Sequence, residues 1–355
     1  MVNSIVERSP KYKWGKIMIK TVLVTGGNGF LGLHLIAQLL AGGYTVKTSL
    51  RSMDKAAGVT AALATHDVPH RERLSFVVAD LTADAGWADA MVGVDGVFAT
   101  AAPVFVNGEM VADTVARTAT DGVLRILTAA RHAGVQRVVM TGNWGAVGYS
   151  NHDRHSVTTE ANWTDPDEPG LSVYERSKLL AERAAWQFAH DHPGQPELVT
   201  VNASAMLGRS LNDHVSGSLG LVQNLLSGRS KAIPQIPLNV VDVSDVAALH
   251  LLAMTKPAAA GHRFIASADG QITLPEIAAL IRTQRPAVAA KVPRRLLPNW
   301  VIRLAAPFSA QAREGLLFLR TNRNTSIAAA KRLGWQPQYT ITDTILRTVD
   351  QLTGH

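Results

Sequence analysis

The chain has 355 residues, of which 46% are hydrophobic and 18% charged, enough to bury a large core in one domain or two unequal ones. It contains no cysteine, which excludes disulfides, thiolate catalysis and cysteine-ligated metals. The formal net charge of +7 comes from short basic groups without interleaved aromatic residues, so we expect no nucleic-acid partner. No apolar run approaches the roughly 20 residues of a membrane span, so we expect no membrane partner and a cytoplasmic location.

Strand-like and helix-like segments alternate along most of the chain. Residues 1–17 lack the apolar core of a secretory signal and are predicted to be an N-terminal extension before the first strand, KTVLVTGG. Further β-branched runs follow in YTVKTSLRS, RLSFVVADL, VDGVFATAAP, VQRVVMTG and ELVTVNASAM. Because segments of helical length separate them, the predicted fold is α/β, a Rossmann-type doubly wound parallel sheet with helices on both faces.

The alternation loosens after residue 204. We predict that the Rossmann-type domain spans 18–204, with a return to it near 238–266. Residues 205–237 and 267–355 are predicted to form a smaller, discontinuous C-terminal substrate-binding lobe. The cleft between the two parts is the expected binding site.

A glycine-rich turn joins the first strand to the first helix. In VTGGNGFLG, Gly26, Gly29 and Gly32 allow a tight turn, close approach of a pyrophosphate, and close packing of the helix on the sheet. The helix begins at Phe30 and Leu31, where free N–H groups can bind the phosphates. The turn therefore predicts a dinucleotide site.

The ends of the next strands indicate which dinucleotide binds. Arg51 stands where an acidic residue would bond the ribose of NAD, and Lys55 follows one turn later. Both are predicted to hold the 2′-phosphate of NADP(H), because a guanidinium binds phosphate in a bidentate manner. Five residues at the ends of the third and fourth strands are expected to border the cofactor: Asp80 (at the adenine amino group), Leu81, Thr100, Ala101 and Ala102.

A tyrosine and a lysine in VYERSKLLAERAAW form the predicted reacting pair. Tyr174 and Lys178 are four residues apart, hence on one face of a helix. A phenol titrates near 10, and a nearby ammonium lowers its pKa by about one to three units. After a dinucleotide loop and a fifth strand, this pair predicts catalysis by Tyr174, with Lys178 tuning it and holding the nicotinamide ribose.

With these motifs the chain resembles the extended short-chain dehydrogenases/reductases, and within them the dihydroflavonol-reductase-like carbonyl (aldehyde) reductases. The resemblance runs from Met18 to about Leu352 and rests on TGGNGFLG, LRS, ADL, YERSKLLAERAAW, VNASAMLG, VDVSDVA and KRLGWQP. It implies NADPH-dependent reduction of a small-molecule carbonyl substrate, without a metal, by a monomer or homodimer. It also implies that Tyr174 donates the proton and that Ala203 and Met206 border the cofactor.

Two departures from the family pattern affect the site. Where the family usually has a serine that bonds the substrate oxygen, this chain has Thr141, Gly142 and Asn143. We predict that Asn143 replaces the serine as an amide donor; the alternatives are that Asn143 only caps a turn, and that Thr141, a poorer candidate, is the donor. Ala203 and Arg209 stand where prolines are usual, which changes the stiffness of that loop.

Other readings of the sequence stay open. A sugar-nucleotide epimerase or dehydratase would need a second phosphate-binding patch, for which Arg209 and Arg229 are candidates. A non-catalytic NADP(H)-binding sensor would explain the missing serine. Three aromatic residues are candidates for an apolar substrate pocket or for core packing: Phe105, Trp144 and Trp163. His152 and His155 lie in a polar loop that needs no metal.

Overall fold

The structure is a computed structural model that describes residues 19–102, 112–212 and 217–354. The predicted extension, residues 1–17, and Phe105 lie outside the described residues. In the part of the chain that is described, none of the helices has the length and apolar character needed to span a bilayer.

Strands and helices alternate up to residue 203, as the sequence predicts. These elements are β1 (Thr21–Thr25), α1 (Phe30–Ala41), β2 (Thr45–Leu50), α2 (Ala56–Thr65), β3 (Leu74–Val78), α3 (Trp87–Met91), β4 (Gly96–Ala99), α4 (Ala112–His132), β5 (Arg137–Asn143), α5 (Gly145–Gly148), α6 (Val173–Asp191) and β6 (Glu197–Ala203). The elements that follow are mostly shorter. They are β7 (Ala205–Leu207), α7 (Leu219–Ser227), β8 (Ala232–Pro234), β9 (Pro237–Leu238), β10 (Val240–Asp242), α8 (Val243–Thr255), β11 (Arg263–Ala266), β12 (Ile272–Thr273), α9 (Leu274–Gln284), β13 (Arg295–Leu297), α10 (Asn299–Ala305), α11 (Ala310–Arg320), α12 (Ala328–Arg332) and α13 (Ile341–Thr353).

Seven parallel strands form the central sheet, in the order β11-β6-β5-β4-β1-β2-β3. The order reverses at β1 and β4, and ligands of doubly wound sheets bind at the carboxyl ends of the strands at such a point. The seventh strand, β11, lies within the stretch predicted to return to the sheet. The predicted doubly wound fold is confirmed.

The side chains of β1 show how the sheet is covered on both faces. Val22 and Val24 pack in one buried cluster with α1 and α8, whereas Leu23 packs in a second cluster with α3, α4 and α6. Alternate residues of a strand point to opposite faces, so the unbroken apolar run of β1 supplies both clusters. The first cluster continues into α9, α11 and α13, so the C-terminal segments share a core with the sheet.

Two aspartates at the start of α8 connect the sheet to the C-terminal segments. Asp242 caps α8 by accepting from the Ser244 backbone N–H at 2.8 Å. The carboxylate of Asp245 accepts from the backbone N–H groups of Gln338 and Tyr339, at 3.0 and 3.1 Å. These bonds hold the chain that leads into α13 against α8.

A buried ion pair joins β5 to β6 at the end of the sheet away from the candidate site. Arg137 is fully buried and donates to the Glu197 carboxylate, with its Nε at 2.8 Å from Oε2. Its Nη1 donates to three carbonyls at the end of α8 and just after it: Ala253, Met254 and Lys256. A buried guanidinium needs this complete set of acceptors, because an unpaired charge in a core is strongly unfavourable.

We predict that Glu197→Ala lowers the free energy of unfolding by about 3–5 kcal/mol, because it leaves the Arg137 charge buried without its counterion. The matched control is Asp269→Ala, since Asp269 pairs with Lys331 at 3.0 Å on the surface, with side chains 71% and 46% exposed. That variant should lose no more than about 1 kcal/mol. Urea denaturation followed by circular dichroism measures both, and equal losses would contradict the argument.

Candidate active site

The glycine-rich turn after β1 forms a cradle that excludes side chains. Gly26 has a φ of +69°, and a Cβ on Gly32 would lie 2.5 Å from the Gly26 carbonyl oxygen. Gly27, to which the sequence analysis gave no role, is the tightest position, because its Cβ would lie 1.9 Å from the Thr48 hydroxyl oxygen. Gly29 precedes α1 and gives it no side-chain cap. The first N–H groups of α1, at Phe30 and Leu31, therefore fit an anionic group such as a pyrophosphate.

Hydrogen bonds hold the ends of β1 and β4 together beside this turn. The Thr25 hydroxyl oxygen accepts from the backbone N–H groups of Thr100 and Ala101, at 3.0 and 2.9 Å. A Cβ on Gly26 would lie 3.2 Å from the Ala101 Cα. Small residues are thus required on both sides of this contact.

The structure brings Arg51 and Asp80 to the same side of the sheet. Arg51 follows β2 directly and is exposed. Hydrogen bonds from Thr82 hold the pKa of Asp80 below its usual value, and the Arg51 charge lowers this pKa further. Lys55 lies one turn on, with its ammonium 3.6 Å from the Asp54 carboxylate at the surface.

Four residues that were predicted to border the cofactor, from three separate segments, line one small cavity. Its lining consists of Leu81, Ala99, Ala101, Ala102, Ala119, Val123, Ile126, Met140, Lys178 and Ala181. The cavity therefore joins the residues after β3 and β4 to Lys178 on α6.

The Asn143 amide lies beside the Tyr174 phenol, close enough to lower the pKa of that phenol. The Asn143 Oδ1 accepts from the Gly145 backbone N–H at 2.5 Å, so the amide is oriented with its NH₂ group free to donate to the phenol. Tyr174 is 52% exposed. The protein packed around its phenol raises the pKa of Tyr174 above its usual value, while the nearby Asn143 amide lowers this pKa.

Lys178 is buried one turn further along α6. Its Nζ donates to the Thr141 carbonyl oxygen at 2.9 Å. Burial lowers the pKa of Lys178 to about 8, although the nearby Glu182 carboxylate favours the charged form. Besides burial, the groups that shift the pKa of Tyr174 are Asn143 and Glu175, and the lowering of that pKa by Lys178 stays a prediction.

The hydroxyl of Thr141 is occupied elsewhere. It lies 2.8 Å from Nε2 of His250, on α8. Burial lowers the pKa of His250 to about 4, and its Nδ1 lies 2.8 Å from the Val246 carbonyl oxygen. The neutral ring must donate from Nδ1, so Nε2 accepts the proton of Thr141. The Thr141 hydroxyl is therefore bonded to α8 in this structure, and its alternative role as the carbonyl donor stays a prediction.

In the described loop after β5, Ser150 does not replace the serine with which the family usually bonds the substrate oxygen. Ser150, the first serine after that strand, donates to the Glu168 carboxylate at 2.7 Å and accepts from the Asp165 backbone N–H at 2.9 Å.

A buried carboxylate that the sequence analysis missed supports this arrangement. Glu182 is fully buried on α6 and accepts from Asn202 at 2.6 Å, from Thr200 at 2.9 Å and from Arg263 at 2.9 Å. The Asn202 amide also donates to the Asn143 carbonyl oxygen at 3.2 Å. The sequence held one signal, since Tyr174, Lys178 and Glu182 follow each other at intervals of four residues.

The loop after β6 lies beside the site, as the resemblance implied. Ala203 pairs with Asn143 in the β5–β6 register, and its carbonyl accepts from the Trp144 backbone N–H at 2.8 Å. Met206 is half-buried on β7. Further along, Arg209 lines a cleft of about 660 Å³ together with Asn28 and Lys55. This places Arg209 next to the glycine-rich turn.

Two of the aromatic residues that were candidates for a pocket or for core packing make specific contacts. Trp144 is 3% exposed and donates from its indole to the Thr325 hydroxyl at 3.1 Å, which fits core packing. Trp163 is 36% exposed and has the guanidinium of Arg263 on one face, 3.6 Å from the ring centroid. Phe105 lies outside the described residues.

A buried charge cluster lies behind Tyr174 and Asn143. Tyr149 is buried and lies near Glu175, both of which raise its pKa, and near Arg323, whose guanidinium lies 5.4 Å from its ring centroid and lowers that pKa. The Arg323 guanidinium lies 4.7 Å from the Trp144 ring centroid, and burial lowers its pKa. Burial is the larger of the two causes that raise the pKa of Glu314 to about 7, and the nearby Glu175 carboxylate is the other. The cluster thus holds one carboxyl group that titrates near neutrality.

We predict that Glu314→Gln stabilises the protein at pH 8 by roughly 1–3 kcal/mol and changes its stability little at pH 5. The pKa of Glu314 is about 7 in the folded state, against 4.5 for an ordinary glutamate. Between these two pH values the Glu314 carboxyl group is ionised in the unfolded chain but protonated in the folded protein. The native protein therefore loses stability as the pH rises through this window. Denaturation midpoints at both pH values measure the effect, with Glu72→Gln as the exposed control. A gain of equal size at both pH values would contradict the assignment.

Comparisons with known proteins agree with this geometry. Residues 22–266 match the model of the NAD dependent epimerase/dehydratase family. An anthocyanidin reductase from Vitis vinifera is 32% identical over 282 residues, which cover 75% of this chain and 81% of that protein. Cinnamoyl-CoA reductase 1 from Arabidopsis thaliana is 34% identical over 250 residues, or 70% of each chain.

The fold matches solved reductases over nearly its whole length. The crystal structure of yeast methylglyoxal/isovaleraldehyde reductase Gre2, complexed with NADPH, superposes with a TM-score of 0.77 and 25% identity, covering 94% of this chain and 98% of that one. The resemblance found in the sequence motifs is confirmed. The chain belongs to the NAD dependent epimerase/dehydratase family, within the extended short-chain dehydrogenases/reductases, and its relatives include dihydroflavonol-4-reductase-like enzymes.

Proposed function

We propose that the protein is an NADP(H)-dependent reductase that converts the carbonyl group of an aldehyde or ketone to an alcohol. The observation that carries the proposal is the placement of the Asn143 amide, oriented by the Gly145 N–H, beside the Tyr174 phenol at the end of β5. Two donors at one point suit a carbonyl oxygen that gains negative charge as it is reduced.

Tyr174 is the general acid in this proposal. Its raised pKa means that the phenol keeps its proton near neutral pH, which is the form that can donate to the substrate oxygen. The Asn143 amide polarises the carbonyl and stabilises the charge that develops on its oxygen. Because the Gly145 N–H fixes the orientation of that amide, its donor needs no rearrangement during the reaction.

Lys178 is proposed to hold the ribose of the cofactor and to stabilise the phenolate left after proton transfer. One of its three N–H donors is engaged by the Thr141 carbonyl, which leaves two for these roles. Its burial beside the cavity that reaches Leu81 and Ala102 suits this position.

The cofactor, when bound, supplies the hydride. The glycine-rich turn and the uncapped start of α1 are proposed to bind its pyrophosphate, with Arg51 and Lys55 at the 2′-phosphate. Asp80, Thr100, Ala101, Ala203 and Met206 complete the proposed lining. The NADPH in the structure of the yeast reductase supports this choice of cofactor.

An aldehyde or ketone substrate is favoured over a sugar nucleotide. The relatives named above are reductases, one of methylglyoxal and isovaleraldehyde. Arg209, a candidate for the second phosphate patch of an epimerase, lies beside Asn28 and Lys55, where a cofactor phosphate would account for it. A non-catalytic sensor would have no need for the Asn143–Tyr174 contact.

We predict that Tyr174→Phe lowers kcat for aldehyde reduction about 10²–10⁴-fold, because the proton donor is lost. Asn143→Ala should lower kcat by about 10²–10³-fold, the usual effect of removing an oxyanion donor. Asn143→Ser should recover much of this loss, since its hydroxyl is also a donor. The rate of NADPH oxidation with a panel of aromatic and aliphatic carbonyls measures all three variants.

Binding of NADPH, followed by fluorescence titration, is the control and should change little in these variants. Full activity of Tyr174→Phe would overturn the proposed mechanism. Bound NADPH with no turnover across the panel would favour the sensor.

We predict that Arg51→Ala weakens NADPH binding about 10–100-fold, the effect of losing a charge-assisted hydrogen bond worth about 1.5–3 kcal/mol, and leaves NADH binding unchanged. Arg332→Ala, which removes an exposed arginine from α12, is the control and should affect neither cofactor. Calorimetric titration with both cofactors measures the dissociation constants. An equal loss for NADH and NADPH would show that Arg51 does not contact the 2′-phosphate.

A further inference from the structure

Large apolar side chains are exposed along one surface of the C-terminal segments. Leu296, Trp300, Leu304 and Phe308 are 51%, 61%, 66% and 90% exposed. We call these four residues the α10 surface, because Trp300 and Leu304 lie one turn apart on α10 and the others flank that helix. Contiguous exposed apolar side chains of this size mark an interaction site more often than a feature of the core.

The exposure is not a by-product of how α10 packs. The inward side of the helix is satisfied by Ile302, which is 6% exposed, and by Ala306 immediately after it, also 6% exposed. Ile302 faces Gly315 of α11, where an added Cβ would lie 3.5 Å from its Cγ2. The helix is therefore apolar on two sides, and only one of them serves the fold.

The chain around the α10 surface carries positive charge alone. Between Glu276 and Glu314 there is no acidic residue, whereas seven basic residues occur there: Arg282, Arg285, Lys291, Arg294, Arg295, Arg303 and Arg313. Of these, Arg285 pairs with Asp350, and Arg282 and Arg313 donate to backbone carbonyls. In the described chain no ion pair joins Arg294, Arg295 or Arg303 to a carboxylate, and all three are exposed.

We propose that the α10 surface binds the surface of a membrane that contains anionic lipids. Trp300, Leu304 and Phe308 enter the boundary between headgroups and acyl chains, while the three exposed arginines contact lipid phosphates. An apolar stripe flanked by arginines is the pattern of helices that lie in the membrane interface, and each basic residue near an anionic leaflet adds to the attraction. The binding is peripheral, so it does not conflict with the absence of a membrane-spanning helix in the described residues.

The same charges disfavour the main alternative occupant, a second copy of the chain. A two-fold interface would place the exposed arginines of one copy opposite those of the other, and like charges brought together repel. A membrane with acidic headgroups supplies the opposite charge. The position of the α10 surface also suits the proposed carbonyl reductase. The neighbouring helix α11 packs against Gly170, where an added Cβ would lie 2.7 Å from the Arg313 carbonyl oxygen. The loop that contains Gly170 leads into α6 and Tyr174.

The test is sedimentation of the full chain with vesicles of phosphatidylcholine alone and of phosphatidylcholine mixed with phosphatidylglycerol. The native protein should sediment with the mixed vesicles and much less with the neutral ones, and added salt should release it. The triple variant Trp300→Ser/Leu304→Ser/Phe308→Ser should bind mixed vesicles at least tenfold less. Arg294→Gln/Arg295→Gln/Arg303→Gln should lose the preference for the anionic lipid.

Matched controls remove the same kinds of residue elsewhere. Val92→Ser/Val157→Ser removes two side chains that are 69% and 45% exposed, and should bind vesicles as the native protein does. Circular dichroism and NADPH binding report whether each variant is folded. If the triple variant does not fold, Phe308→Ser alone, at the most exposed of these positions, replaces it.

Three outcomes would overturn the proposal. The first is no sedimentation of the native protein with anionic vesicles. The second is equal sedimentation of the native and triple-variant proteins. The third is a native dimer that the triple variant converts to a monomer without any vesicle binding, which would identify the α10 surface as an interface between copies of the chain.

Discussion

The geometry of the candidate active site depends on one buried carboxylate, that of Glu182. It lies on α6 with Tyr174 and Lys178, and its bonds to Asn202 and Thr200 attach that helix to β6. Because Asn202 also donates to the Asn143 carbonyl, the same network fixes the end of β5. A charge in a dry core is tolerated only when its hydrogen bonds are complete, and complete networks of this kind hold their members rigidly.

This network also accounts for the unusual motif at the end of β5. A Cβ on Gly142 would lie 2.6 Å from the Asn202 Nδ2 and 3.0 Å from a Glu182 carboxylate oxygen. Any larger residue would push the two polar groups apart, so glycine is required there. The side chain of the following residue, Asn143, is held in place by the Gly145 N–H.

The C-terminal segments support the site from behind. Arg323 reaches back to Tyr149 and lies against the Trp144 ring, which directly follows Asn143. Its Nε and Nη2 atoms have no hydrogen-bond partner in the described part of the chain, so contact with aromatic faces supplies part of its stabilisation. The C-terminal segments thus contribute a buried cation that supports the loop after β5.

Local patterns in the sequence were enough to predict the parts of the structure formed by neighbouring residues. The strands, the glycine turn after β1 and the spacing of Tyr174 and Lys178 all follow from backbone conformation, side-chain period and the geometry of one helix. The family followed from the same motifs.

Tertiary structure decided what depends on residues far apart in the chain. The partner of Thr141 is His250, 109 residues away, and the Asn202–Glu182–Arg263 network spans β6, α6 and β11. The need for glycine at position 27 comes from Thr48 on the neighbouring strand. The sequence alone determined which side chains are available and roughly which of them lie at the end of a strand or helix. Which of them are already bonded to another group, and therefore which remain free to act on a substrate, is set by packing between elements that no local pattern encodes.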